Sequence, residues 1–149
     1  GGKVWATASE DMDALTFGTP RLVRHLWVAS SASSEKKGIK PLEIDLDAAL
    51  DDMQLSQDRF IDLCILCGCD YTDSIRGVGP ATALQLIRKH GDLDSILAAL
   101  RKDGKHVVPD DFPVDEVRTL FKQPEVTPAD KCELKWTDPD EQALVDVMV

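Results

Sequence analysis

The order of its patterns predicts an α/β fold, with short strands in the first half and helices in the second. Three observations carry this. Leu42, Ile44 and Leu46 alternate as in a strand, residues 60–66 are apolar almost all round a helix, and Gly77-Val78-Gly79-Pro80 is a turn that opens a series of helical patterns running to the end. At 149 residues, 43% of them hydrophobic, the chain is long enough to bury one continuous core. No repeat period interrupts it.

Taken in order, Lys3-Val4-Trp5-Ala6-Thr7-Ala8-Ser9 reads as a mostly apolar strand that ends in an acidic cluster. A second strand is expected from Arg21 to Val28, after the turn residues Gly18, Thr19 and Pro20. Residues 29–38 are small or charged and are expected to form a surface loop. The alternation at 42–46 passes into helical spacing at Leu46, Ala49, Leu50 and Met53. Ser56 is placed to cap a buried helix that runs through Cys67 and delivers Gly68-Cys69-Asp70-Tyr71 at its end. Pro80 suits the first helical position and Gly91 the close of that helix. Leu93, Ile96, Leu97 and Leu100 predict another amphipathic helix, and Val114, Val117, Leu120 and Phe121 one more after Pro113. Asp138-Pro139-Asp140-Glu141 caps the last. Trp5, Tyr71 and Trp136 are expected to be core aromatics.

The 27 acidic and 17 basic residues give a net charge of −10, a sign that opposes general attraction to nucleic acid. Carboxylates gathered to hold metal would reconcile that acidity with phosphate chemistry. No apolar run approaches the length of a membrane-spanning helix, and no signal-peptide order opens the chain. Three of the four cysteines, Cys64, Cys67 and Cys69, crowd into the apolar segment, which suits reduced thiols in an intracellular protein. Cys64 and Cys67 also have the spacing of half a zinc knuckle, but completing it would require Cys132 or a distant histidine. The opening Gly1-Gly2 and an end inside a helical pattern are read as those of a segment of a longer protein.

Two constellations could carry chemistry. Asp11 and Asp13 lie two apart at an expected strand end, where period two places both carboxylates on one side, and Asp70 follows a buried helix that fixes its position. Carboxylates held in this way can share hard cations, although spacing alone leaves a solvated acidic loop as the alternative. In the Gly77-Val78-Gly79 hairpin, glycines let backbone approach a phosphate, and the next helix offers free amides and its positive dipole end. Arg76, Arg88 and Lys89 add charge there. Read as turn chemistry alone, the same residues merely connect two helices.

Read together, Ser9-Glu10-Asp11-Met12-Asp13-Ala14-Leu15-Thr16-Phe17-Gly18, Leu63-Cys64-Ile65-Leu66-Cys67-Gly68-Cys69-Asp70-Tyr71 and Ser74-Ile75-Arg76-Gly77-Val78-Gly79-Pro80 resemble three consecutive segments of the flap endonucleases of the Rad2/XPG family. Gln123-Pro124-Glu125-Val126 and Glu133-Leu134-Lys135-Trp136 extend the likeness over nearly the whole chain. The resemblance implies the C-terminal part of a PIN-like nuclease core. Residues 1–90 would belong to the nuclease I-domain, with a helix-two-turn-helix (helix-hairpin-helix) at about 68–91, and 91–149 would form a helical C-terminal region.

By motif, the resemblance implies that Asp11, Asp13 and Asp70 are catalytic ligands of two Mg²⁺ ions, for which Mn²⁺ can substitute. It implies a K⁺ ion held by the Ser74 hydroxyl and the Ile75 and Val78 carbonyls. Gly68, Asp70, Arg76, Gly77 and Gly79 would face DNA, in the form of 5′-flap and nicked or gapped duplex. The implied activity is 5′-flap endonuclease and 5′–3′ exonuclease in Okazaki fragment maturation and base excision repair. The remaining catalytic groups of the family have no counterpart here, so this stretch is expected to be inactive alone. The tail through which relatives contact the sliding clamp would lie beyond the last helix. Nuclear localisation is expected, with nucleolus and mitochondrion as further compartments. Ala81 and Thr82 stand where relatives carry basic residues, which removes direct phosphate partners from the helix start. The alternatives are a non-catalytic helix-hairpin-helix module that grips duplex DNA, and an acidic protein-interaction domain.

Overall fold

Arg21-Leu22-Val23-Arg24 sets two apolar residues between arginines, and it becomes the middle strand of the sheet. The computed structural model describes residues 2–26 and 38–148. In it β1 (Thr7–Ala8) runs parallel to β2 (Arg21–Arg24), and β3 (Leu42–Asp45) pairs with the other edge of β2 in antiparallel register, Leu22 opposite both Thr7 and Ile44. α1 (Asp13–Thr16) crosses between β1 and β2. Leu22, fully buried, packs with Leu15 of α1 and with Leu46, which opens α2 (Leu46–Met53). The sheet is smaller than the sequence suggests: residues 3–6 stay outside β1, and β2 ends before His25, whose φ of 61° breaks the strand. The expected strand residues 27 and 28 and most of the 29–38 loop lie outside the described residues.

The larger core is helical. α3 (Gln57–Cys67) begins where Ser56 accepts the Arg59 amide, and it buries Ile61, Leu63, Ile65 and Leu66. α4 (Pro80–His90) has proline in its first turn and Gly91 as its C-cap. α5 (Leu93–Asp103) is capped by Asp92, and α6 (Val114–Lys122) follows Pro113. Their apolar faces share one cluster that runs from Leu55 to Phe121, and Phe60 touches both this cluster and the one under the sheet. α7 (Glu141–Met148) starts where Asp140 accepts the Ala143 amide, and it is exposed along its length.

A bidentate ion pair fastens the helices across the core. Arg118 of α6 donates from Nε and Nη2 to the two carboxylate oxygens of Asp62 in α3, at 2.6 and 2.8 Å, and from Nη1 to Asp94 of α5 at 2.9 Å. Asp62 is 5% exposed and also accepts the Leu93 amide, so its charge is fully partnered. The Asp62 and Asp94 carboxylates, by hydrogen bonds and charge, hold the Arg118 pKa above its ordinary value.

The three core aromatics expected from the sequence are instead at the surface. Trp5 is 63% and Trp136 90% exposed, because β1 stops short of residue 5 and residues 132–140 have no regular structure. Arg21 stacks its guanidinium over Trp5, 5.1 Å from the ring centroid. Tyr71 is 42% exposed and meets the core ring of Phe121 in a T-shaped contact. Among the described residues no helix is long and apolar enough to cross a membrane.

Candidate metal and nucleic-acid site

Asp11 and Asp13 are not the successive outward positions of a strand. β1 has ended by Ala8, and the Asp13 amide donates to Asp11 Oδ1 at 2.9 Å, a side-chain turn that starts α1. The loop is held from both sides. The Asp11 amide donates to Ser9 Oγ, while Glu10 accepts the His25 amide at 2.6 Å and meets Arg24 and the His25 ring. Glu10 thus ties the acidic loop to the end of β2.

Asp70 arrives from the other end of the fold, two residues beyond the Gly68 that caps α3. Gln57, in the first turn of α3, donates to the Leu15 and Thr16 carbonyls and so docks α1 on that helix. Phe121 closes the arrangement: its ring lies 4.9 Å from that of Phe17, just after α1, and 5.5 Å edge-on from Tyr71. Burial, then the charge of Asp11, then that of Asp70 raise the Asp13 pKa above the ordinary carboxylate value. Asp13 thus lies within electrostatic reach of Asp11 in its own loop and of Asp70 beyond α3. Hard oxygen donors under mutual repulsion suit a divalent cation, which would relieve it. Among the described residues no three His, Cys, Asp or Glu side chains are drawn together into a ready-made ligand group.

The cysteines offer no such alternative. Burial pushes the Cys64 thiol up to about 11 and raises Cys67 as well, so both are neutral thiols near neutral pH. Cys69 meets the Thr72 hydroxyl, and Cys132 points to the Pro128 carbonyl in a separate loop. All four are free.

Next to Asp70 a cleft of about 720 Å³ is lined in part by Asp73, Asp111 and Glu116. These carboxylates make that flank acidic. Ser74 lies against Gly68, and a Cβ at 68 would sit 3.0 Å from Ser74 Cβ. Ile75 and Val78 bury their side chains while the Val78 amide donates to the Ile75 carbonyl at 3.0 Å. Arg76, Gly77, Gly79, Ala81 and Thr82 are exposed. Gly77 has a φ of 87°, so the turn needs glycine there. Gly79 does not share that need: its φ is −99° and a Cβ would meet nothing within 4 Å. His106, which the sequence reading passed over, packs its ring about 3.5 Å from the Cβ position of Gly77.

Comparison with known proteins gives a consistent result. Residues 1–70 match the XPG I-region family. The chain is 54% identical to a flap endonuclease 1-A of Sorghum bicolor over 147 residues, covering 99% of this chain and 37% of that protein. The flap endonuclease-1 of Methanococcus jannaschii superposes with a TM-score of 0.74 at 32% identity, over 99% of this chain and 40% of that one. A catalytic core of Rad2 in complex with DNA substrate superposes at 0.75 with 24% identity, over 97% of this chain and 51% of that one. The chain thus spans between about a third and a half of each of these proteins.

Proposed function

The chain belongs to the Rad2/XPG flap endonuclease family, and from that premise we propose that it supplies part of a divalent-metal site that hydrolyses DNA phosphodiesters at 5′ flaps. The observation that carries the reading is that Phe17, just after the helix of Asp13, and Tyr71, next to Asp70, meet on the one ring of Phe121, and the raised Asp13 pKa agrees with it. Asp11, Asp13 and Asp70 would hold two Mg²⁺ ions, with Mn²⁺ as a substitute. When bound, such ions activate water and stabilise the leaving oxygen.

The chain's own residues position the substrate. Gly68, whose Cβ position is closed by Ser74, sets the turn that carries Asp70, and a strand would approach along its backbone. The hairpin presents Gly77 and Gly79 to a duplex phosphate, with the Ser74 hydroxyl and the Ile75 and Val78 carbonyls holding K⁺ between protein and backbone. Arg76 adds local positive charge on an otherwise acidic surface. Substrates would be 5′-flap and nicked or gapped duplex, cut endonucleolytically or from the 5′ end, in replication and base excision repair in the nucleus. The remaining catalytic groups and the sliding-clamp contact would come from other parts of such an enzyme, so this stretch alone does not cleave.

Manganese titration tests the reading. The chain should bind Mn²⁺, and Asp13→Asn should abolish that binding. Duplex binding that is salt-dependent but indifferent to metal, with no Mn²⁺ bound, would support a non-catalytic helix-hairpin-helix module instead.

A further inference from the structure

The two segments that carry the carboxylates are joined through one buried ring. Phe121 is 2% exposed and stands in the last turn of α6, far in sequence from both segments it touches. It meets Phe17, four residues after Asp13, at 4.9 Å, and Tyr71, immediately after Asp70, at 5.5 Å. One helical turn earlier, Arg118 locks α6 to α3 and α5 through Asp62 and Asp94. The ring is therefore placed by a rigid ion-paired helix rather than by the loops it contacts.

We propose that Phe121 is a positioning residue that holds the Asp11–Asp13 loop and the Asp70 segment in register for a shared metal. This rests on the metal reading above. The argument is one of leverage. Asp11 and Asp70 are exposed, Gln57 ties α1 to α3 through the Leu15 and Thr16 carbonyls, and the Phe121 ring adds the apolar contact that Phe17 and Tyr71 share. Edge-on and tilted aromatic contacts to one ring fix both distance and angle, which an aliphatic side chain of similar volume does not. Phe17 and Tyr71 are 38% and 42% exposed, and the sides they turn inward meet the buried Phe121 ring.

The test is Mn²⁺ affinity of the 149-residue chain, followed by the loss of the free-ion electron paramagnetic resonance signal, with thermal unfolding measured in parallel. Phe121→Leu should weaken affinity on the order of tenfold, as loss of a residue that orients metal ligands does. Tyr71→Leu, at an exposed ring, should weaken it in the same direction with little change in melting temperature, and Tyr71→Phe should keep the parent affinity. Val117→Ala, a cavity in the same helix, should lower the melting temperature without moving Mn²⁺ affinity. Parent affinity in a folded Phe121→Leu overturns the proposal. If that variant does not fold, parent affinity in Tyr71→Leu overturns it. Absence of Mn²⁺ binding by the parent chain overturns the metal reading itself and this proposal with it. Binding abolished by Asp13→Asn but untouched by Tyr71→Leu leaves that reading standing and removes only the role of Phe121.

Discussion

Gly68 and Ser74 are in contact across the turn that links the end of α3 to the hairpin: a Cβ on Gly68 would stand 3.0 Å from Ser74 Cβ and 3.4 Å from its Cα. The φ of Gly68 is 93°, so an L side chain is opposed by backbone strain as well as by space. Gly68→Ala should cost about 1–3 kcal/mol in chemical denaturation, the usual size of such strain. Gly79→Ser is the contrast, since position 79 has an ordinary φ, open space and an N-cap role that serine fills; it should change stability by only a few tenths of a kcal/mol. A large loss for Gly79→Ser would contradict the geometry assigned to the hairpin.

The Asp62–Arg118 pair should behave as a buried pair and not as a surface one. Arg118→Met leaves a carboxylate that is 5% exposed with only the Leu93 amide as partner, and should destabilise the chain by about 3–5 kcal/mol. Adding Asp62→Leu should restore part of that loss, because the stranded charge is gone. A double variant as unstable as Arg118→Met alone would show that packing, not the orphaned charge, sets the cost.

Asp13 should weaken the metal-free fold near neutral pH. Its folded pKa is raised, so the stability it contributes when protonated is fully present below the unfolded value and is lost as pH rises through the folded one. Asp13→Asn should therefore raise the melting temperature at neutral pH in chelator, and the advantage should shrink as pH falls through the raised folded value and be gone below the ordinary carboxylate value of 3.8. The same substitution should remove Mn²⁺ binding, a trade of function against stability. A melting temperature that falls on Asp13→Asn would mean that Asp11 and Asp70 do not press on this site.

These contrasts mark what could be read from the chain alone. Ser56 as a cap, Pro80 opening and Gly91 closing α4, and Asp140 capping the last helix each follow from local hydrogen-bonding or dihedral chemistry, which the residue type itself states. The strand-to-helix switch at Leu46 was visible as a change of period. What failed depends on partners distant in sequence. Trp5 and Trp136 look like core residues by size alone, and whether anything covers them is decided by the length of β1 and the path of residues 132–140. The strand geometry expected for Asp11 and Asp13 gave way to a turn, because the Asp11 side chain accepts the Asp13 amide. Neither Arg118 with Asp62, 56 residues apart, nor Phe121 between Phe17 and Tyr71 has a local pattern that announces it.

The hairpin should bind duplex backbone through K⁺. Duplex affinity measured in K⁺ should exceed that in an equal ionic strength of a larger organic cation, which screens equally but cannot enter a site of hydroxyl and carbonyl oxygens. Equal affinity in both salts would contradict cation bridging. Ala81→Lys with Thr82→Arg should strengthen binding and steepen its salt dependence, as each new phosphate contact releases about one counterion.

The central claim is that Asp13 belongs to a metal site that cuts DNA, and cleavage measures it most directly. The experiment places residues 1–149 at the corresponding position of an intact flap endonuclease and follows Mg²⁺-dependent cutting of a 5′-flap substrate. The parent chimera should cleave. Asp13→Asn should lower the single-turnover rate by several orders of magnitude while flap binding stays close to that of the parent. Cutting at the parent rate by the Asp13→Asn chimera would contradict the account.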